Sequence, residues 1–484
     1  MLFPTTRFVF FFILCFFLYW YVVRLKKQRC LLLIGASYFF YACWDWQFCI
    51  HLFAVSVWAA LFGFILGKQK NYSMRKLTLI GSSSVLILFL ACFKYLHTLR
   101  VFVGAHFLQS IPHLYSFALP IGISYYTFRA LSYIFDIYLC KMRPAGSFAE
   151  VLLYISFFPQ LASGPIVQAE PFFRTLPESL TRDSNPYTRP IAFDKSLVLI
   201  ISGTYKKMIL ANFLLALAVD PVFAHPAQCN TVELLIALLA YTFVIYCDFS
   251  GYSDMAIGIA LLLGFETPQN FNRPYMVQSV TEFWRRWHIS FSSWLRDYVY
   301  FAFGGSRFGL IRTAIALIAT MLIAGIWHGG RITFLLWGGL QGLACALERI
   351  AAAMTQHKNT GPAVSSIAVS KPIRISLFLR MGLVFLFINI SWLIFKSASL
   401  QELKLYIYSL QNMTMPFNTV HPFAFVLLAL AFLLQLPGEA MRKKVFTLYV
   451  QLPVIVKISA AALFFIILYT VSMSGTAPFI YFGF

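Results

Sequence analysis

Three short stretches gather the side chains that can move protons in a chain otherwise poor in them. Residues 282–293 read EFWRRWHISFSS and set His288 among Phe283, Trp284, Trp287 and Phe291, beside Arg285 and Arg286. In TMLIAGIWHGGRITFLLWGG, His328 ends an apolar run, with Trp327 before it and Gly329 and Gly330 after. Imidazole is the side chain whose ordinary pKa lets it take and return a proton near neutral pH, so both histidines are candidates for general acid–base work. The paired glycines permit close approach of a backbone or a substrate. The alternatives for His328 are a histidine bonded to a backbone carbonyl, or one that merely ends a helix. In YCDFSGYSDMAIG, Asp248, Ser250, Ser253 and Asp254 follow another apolar run. Ser250 or Ser253 can cap a following helix, whereas Asp248 must be solvated, neutral or paired.

The elements that must position these groups are apolar. Of the 484 residues, 60% are hydrophobic, 18% aromatic and 11% charged, a membrane composition. A bilayer span needs roughly 20 mostly apolar residues, and such runs recur along the chain. The expected class is all-α and polytopic, with candidate spans at Phe8–Val23, Cys30–Tyr41, Ile50–Gly67, Leu77–Phe93 and within Val101–Leu139. Further spans are expected at Ser196–Leu217, Val232–Cys247, Leu310–Trp327, Ile332–Ile350, Ile375–Phe395, Phe423–Leu436 and Val454–Val471. The expectation is about eleven transmembrane helices, with re-entrant pieces near Phe157–Ile166 and Tyr252–Phe265, where protein must enclose the backbone. Phe8–Val23 is followed by no small-x-small cleavage site, so it reads as a retained span rather than a signal peptide.

Arg24, Lys26, Lys27 and Arg29 follow the first span and Lys68, Lys70, Arg75 and Lys76 the third. The excess of basic residues places both loops in the cytosol and the N-terminus outside. The formal net charge of +21 fits this orientation and attraction for an anionic ligand or lipid headgroups. No nucleic-acid-binding module accompanies it. The nine cysteines form no CxxC or CxxH pair, so neither a metal site nor a disulfide framework is expected. The polar intervals Ser179–Lys195 and Thr355–Lys371 read as surface loops, and the whole of 1–484 reads as a single membrane domain.

Placed on one helix at about 100° per residue, residues 283–298 put Phe283, Trp284, Trp287, Phe291, Trp294, Leu295 and Tyr298 on one arc. Arg285, Arg286, Ser293, Arg296 and Asp297 fall on the other, with His288 at the edge. An interfacial helix is expected, its aromatic face in lipid or protein and its basic face toward water or a channel mouth. The arginines are then either snorkelling charges or contacts for an anionic ligand. The same alternatives apply to Lys206 and Lys207 in GTYKKMIL.

FWRRWHISFSSWLRDYVY, IWHGGRITFLLWG, DFSGYSDMAIG, LPIGISYYTFRALSYIFDIY and FFPQLASGPI together resemble the signature blocks of the membrane-bound O-acyltransferase (MBOAT) family. They are most similar to the bacterial branch of alginate O-acetylation proteins, and the terminal PFIYFGF is similar too. The resemblance spans 119–337, the signature-bearing core. It implies spans, re-entrant and interfacial helices around a central tunnel, with a cytosolic acyl donor and an acceptor hydroxyl from the other side or the bilayer. The family's invariant histidine matches His328 and its second active-site position His288. Asp248, Trp327 and Gly329 then support the site, and Arg285, Arg286, Arg296, Lys206 and Lys207 are candidate donor contacts. Gln341 departs from the branch, which often has histidine after the LWG block, and SRFGLIRTAI is a short loop for it.

What the resemblance implies is an inner-membrane, multi-pass enzyme with no bound cofactor. It would move acetyl groups from acetyl-CoA toward an extracytoplasmic polysaccharide, alginate-like or peptidoglycan, through a periplasmic or membrane-tethered partner acetyltransferase. The rival readings are a D-alanyl transferase of teichoic acid type, a transporter or flippase using the same intramembrane charges, and a non-catalytic scaffold.

Overall fold

The computed structural model describes residues 3, 5–103, 119–181, 191–358 and 374–472, and all regular structure among them is helical. Most of Ser179–Lys195 and Thr355–Lys371, and all of PFIYFGF, lie outside the described residues. The chain forms two compact units, Met1–Thr204 with Tyr252–Gln269, and Tyr205–Gly251 with Asn270–Phe484.

The first unit holds α1 (Thr6–Phe17), α2 (Lys26–Ala42), α3 (Trp46–Lys68), α4 (Tyr72–Val103), α5 (Ile123–Tyr138), α6 (Phe148–Ser156), α7 (Phe158–Leu161), α8 (Ala169–Thr181) and α9 (Phe193–Thr204). Asp45 starts α3 by accepting the Gln47 N–H at 2.9 Å, as an N-cap does. Leu52, Val55, Ala59 and Leu66 of α3 face inward, whereas Ile50, Phe53, Val57, Leu61 and Phe64 are exposed. An outward stripe of large apolar side chains at helical spacing belongs in lipid. Helix α5 is buried almost all round. It begins at Gly122, whose φ of +75° suits glycine and whose Cβ would lie 3.2 Å from the Leu161 carbonyl carbon. After α7 the chain runs without regular structure to 168 and is buried as far as Val167. This is the enclosed, irregular backbone expected near Phe157–Ile166.

The second unit begins where α9 continues through wide π-turns, Tyr205–Ala211 and Leu215–Val219, to Ala224. α10 (Thr231–Leu262) follows, its residues through Gly251 belonging to this unit. Then come α11 (Val280–Arg286), α12 (Ile289–Leu295), α13 (Leu310–His328), α14 (Ile332–Lys358), α15 (Arg374–Lys396), α16 (Leu400–Ser409), α17 (Phe423–Leu433), α18 (Glu439–Gln451) and α19 (Val454–Ser472). Polar groups tie the helices together. The Thr242 hydroxyl donates to Asn389 at 2.7 Å, and the Tyr275 hydroxyl donates to the Thr242 carbonyl at 2.7 Å. Glu233, fully buried, accepts from the backbone N–H groups of Asn418, Thr419 and Val420.

Among the described residues, six helices are long and apolar enough to span a bilayer, or seven if the pair α18 and Val454–Leu468, bent by 111°, counts as one; the expected count of about eleven is not reached among them, and part of the expected span within Val101–Leu139 lies outside the described residues. The apolar helices at Thr6–Val22 and Phe423–Leu433 fall short, and α2 and α14 carry charged residues, among them Lys26, Lys27, Arg29, Glu348 and Arg349. Nor does Tyr252–Phe265 form a separate re-entrant element: α10 runs unbroken through Asp248 and Ser253 to Leu262. A continuous helix satisfies its own backbone, so breaking it inside an apolar environment would cost more than burying its short polar side chains. Ser250 and Ser253 are therefore mid-helix residues, not caps.

Candidate active site

The stretch SVTEFWRRWHISFSS builds two short helices rather than one long one. Ser279 caps α11 by accepting the Glu282 N–H at 3.0 Å. Glu348 of α14 accepts the N–H groups of Val280 at 2.5 Å and Thr281 at 2.9 Å, and the Thr281 hydroxyl at 2.7 Å. A carboxylate at a helix N-terminus satisfies orphan donors and complements the dipole. α11 ends at Arg286, Trp287 is extended, and His288 takes φ 43° and ψ 52° before α12 begins.

This corrects the continuous interfacial helix expected over 283–298. The aromatic periodicity is real, but the break is supported from outside the stretch. The Asn272 N–H donates to the Arg286 carbonyl and the Ile289 N–H to the Asn270 carbonyl, both at 2.9 Å. Residues 270–272 thus replace backbone bonds that a continuous helix would make. A histidine in the left-handed region costs about 1–3 kcal/mol, and such strain gathers at functional sites.

The aromatic face meets protein, not lipid: Phe283, Trp284, Trp287 and Phe291 are all buried. Trp287 packs on Phe283 at 5.4 Å and Trp392 at 5.0 Å. Trp284 donates to Gln341 Oε1 at 3.1 Å, and Gln341 donates to Ser391 at 2.9 Å. Gln341, the departure from the branch pattern, is thus a structural bridge between α11 and α15.

His288 and His328 are 2% and 4% exposed, and they share two ring neighbours. Phe291 lies 5.0 Å from the His288 ring and 6.5 Å from that of His328. Trp327 lies 6.3 Å and 4.7 Å from them respectively. Phe249 closes on His288 at 4.6 Å, while Trp337 and Phe395 close on His328 at 5.2 Å and 4.9 Å. His288 lies outside the membrane-spanning helices, and burial alone pushes its pKa down to about 3, so it is neutral at physiological pH. His328 ends α13, and a Cβ at Gly329 would stand 3.0 Å from the Phe334 ring, so this turn requires glycine.

Sequence reasoning overlooked Asn270. Nearly fully buried, its Oδ1 lies 3.1 Å from His288 Nδ1 and accepts from Ser290 N–H at 3.2 Å and Ser290 Oγ at 2.9 Å. The signal lay in PQNFNRPY, a polar stretch bordered by two prolines just before the histidine helix.

The other candidates divide. Asp248 is paired with Lys207 inside the protein, and Lys206 is buried with its ammonium 6.0 Å from the Tyr246 ring. Neither lysine snorkels, and the Lys207 charge is already met by a carboxylate. Arg286 pairs with Glu282 at 2.5 Å and Arg296 with Asp297 at 2.8 Å, while Arg285 is exposed. The structure therefore gathers His288, Trp327 and His328 around Phe291. It leaves the three arginines outside that aromatic cluster and keeps Asp248, Lys206 and Lys207 as a separate buried group.

Comparison with known proteins bears on the family. The family model described as MBOAT, membrane-bound O-acyltransferase family, matches residues 57–392. The chain is 35% identical over 407 residues to the probable alginate O-acetylase AlgI of Pseudomonas aeruginosa, covering 83% of this chain and 73% of that one. It is 30% identical over 435 residues to the peptidoglycan O-acetyltransferase of Helicobacter pylori, covering 83% and 78%. It is 28% identical over 231 residues to the teichoic acid D-alanyltransferase of Bacillus subtilis, covering 45% and 56%. A multi-pass helical chain with this match over most of its length belongs to the membrane-bound O-acyltransferase family and is an O-acyltransferase.

Proposed function

We propose that the protein takes an acetyl group from cytosolic acetyl-CoA and delivers it across the bacterial inner membrane for O-acetylation of an extracytoplasmic polysaccharide, alginate-like or peptidoglycan. A partner acetyltransferase outside the membrane completes the transfer. The observation that carries this reading is the pair of buried imidazoles sharing Phe291 and Trp327. The relatives covering 83% of the chain are named for O-acetylation, whereas the D-alanyl relative covers 45%, which favours acetyl over D-alanyl.

A thioester already has a good leaving group, so the reaction needs a base for the acceptor hydroxyl and stabilisation of the tetrahedral oxyanion. A positioned base contributes about 10²–10⁴-fold and an aligned oxyanion donor about 10²–10³-fold. In this reading His328 takes the hydroxyl proton, while Trp327 and Gly329 shape its surroundings. Arg285, Arg286 and Arg296 attract the polyanionic donor at a cytosolic mouth.

The test is the O-acetyl content of envelope polysaccharide from cells with wild-type protein, His328→Ala or no protein, at matched membrane levels. Acetylation in the mutant should fall to the level of cells without the protein. Wild-type acetylation in His328→Ala would make that histidine structural and bring the transporter or scaffold readings forward.

A further inference from the structure

We propose that Asn270 is a positioning residue that locks His288 in the tautomer with its proton on Nδ1, making Nε2 the atom that accepts a proton during acyl transfer. This rests on the acyl-transfer reading above and deepens it.

The Ser290 backbone N–H is an obligatory donor, so the Asn270 atom facing it at 3.2 Å is the carbonyl oxygen and not the amide nitrogen. The same oxygen lies 3.1 Å from His288 Nδ1. Two acceptors do not bond each other, so Nδ1 carries the hydrogen and donates. A neutral imidazole has one N–H, which leaves a lone pair on Nε2. Nε2 is buried and has no hydrogen-bond partner among the described residues. The strained backbone at His288 and the Ile289 N–H bond to the Asn270 carbonyl fix the ring against Asn270 from the main-chain side as well.

The rings packed on His288 are Phe249, Phe271, Phe291 and Trp327, and Asn270 and Ser290 are neutral. The nearest ionisable side chain sharing those rings is His328, which also packs on Phe291 and Trp327. His288 in this state cannot donate to a thioester carbonyl or an oxyanion, which selects proton acceptance over donor orientation as its role. As the acceptor's C–O bond forms, His328 takes the hydroxyl proton, and His288 Nε2 receives it in relay. The resulting imidazolium is held by the Nδ1–H bond to Asn270. When the C–S bond breaks, the proton goes to the leaving thiolate, giving ester and free thiol.

The experiment has two arms, both in protein reconstituted into lipid. Histidine ¹⁵N NMR, with His288 assigned from its loss in His288→Gln, reads the tautomer without any activity. Wild type should show Nδ1–H, and Asn270→Ala should show a mixture or Nε2–H. Thiol release from acetyl-CoA, measured against pH, reads the role. Asn270→Ala should lose about 10²-fold or more in kcat, within the range of a positioned base, with KM little changed. Asn270→Asp keeps the acceptor but adds a charge that favours imidazolium. It should recover part of the rate and move the acidic limb of the profile to higher pH. A wild-type Nε2–H tautomer, or an Asn270→Asp profile that coincides with the wild type, would overturn the inference. Absence of thiol release from wild type, with the Nδ1–H tautomer intact, would instead count against the acetyl-CoA reading.

Discussion

Among single residues, Lys207 and Asp248 meet each other's charge inside the protein. Their side chains are 5% and 3% exposed and form an ion pair. Removing one partner of a buried pair leaves a charge with neither water nor counter-ion and costs about 3–5 kcal/mol, while replacing both by apolar groups is often neutral. Lys207→Met should therefore lower the melting temperature in detergent strongly, and Lys207→Met with Asp248→Leu should recover most of the loss. Equal melting temperatures for wild type and the single variant would show that the pair is not structural. His288 supplies a pH prediction. Folded, its pKa is pushed down to about 3; unfolded, it takes the ordinary value near 6.5. As pH falls from about 6.5 toward 3 the unfolded chain binds a proton that the folded chain refuses, so stability falls across that window. His288→Gln should flatten the fall in melting temperature between pH 6.5 and 4.

For the elements, the α13–α14 pairing places His328. Gly338 makes it possible: a Cβ there would stand 3.1 Å from Gly325 Cα and 3.2 Å from Gly325 N, and one at Gly342 would stand 2.8 Å from Ile318 Cα. Small residues let two helix backbones approach closely in a bilayer. Gly338→Val should force the pair apart, destabilise the protein by about 1–3 kcal/mol and reduce acyl transfer through displacement of His328. Gly339→Ala is the control, since its new Cβ would meet nothing nearer than Leu322 Cδ2 at 3.5 Å. Matched melting curves for the two variants would contradict this account of the packing.

For the whole molecule, the positive-inside rule predicts that the loops carrying Arg24, Lys26, Lys27 and Arg29, and Lys68, Lys70, Arg75 and Lys76, face the cytosol. Reporter fusions after Arg29 and after Lys76 should therefore be active only with a cytosolic reporter, and a fusion at Trp44 only with an extracytoplasmic one. The opposite pattern would reverse the side from which a donor can enter.

Composition and hydropathy determined the class, because the requirement that a bilayer span be apolar and helical is written residue by residue. The two histidines were legible too, as ionisable groups beside long apolar or aromatic runs. The span count was less legible, because α5 mixes polar residues into a buried helix and periodicity does not tell protein surroundings from lipid. Nor was the helix break at His288 visible. It depends on the N–H groups of Asn272 and Ile289 and the carbonyls of Arg286 and Asn270, a pairing between segments more than a dozen residues apart. Asn270 against His288 and Lys207 against Asp248 are likewise decisions of the tertiary structure. A hydrogen bond or ion pair inside an apolar protein is fixed by which polar atoms the packing brings into reach, and local sequence carries no record of that.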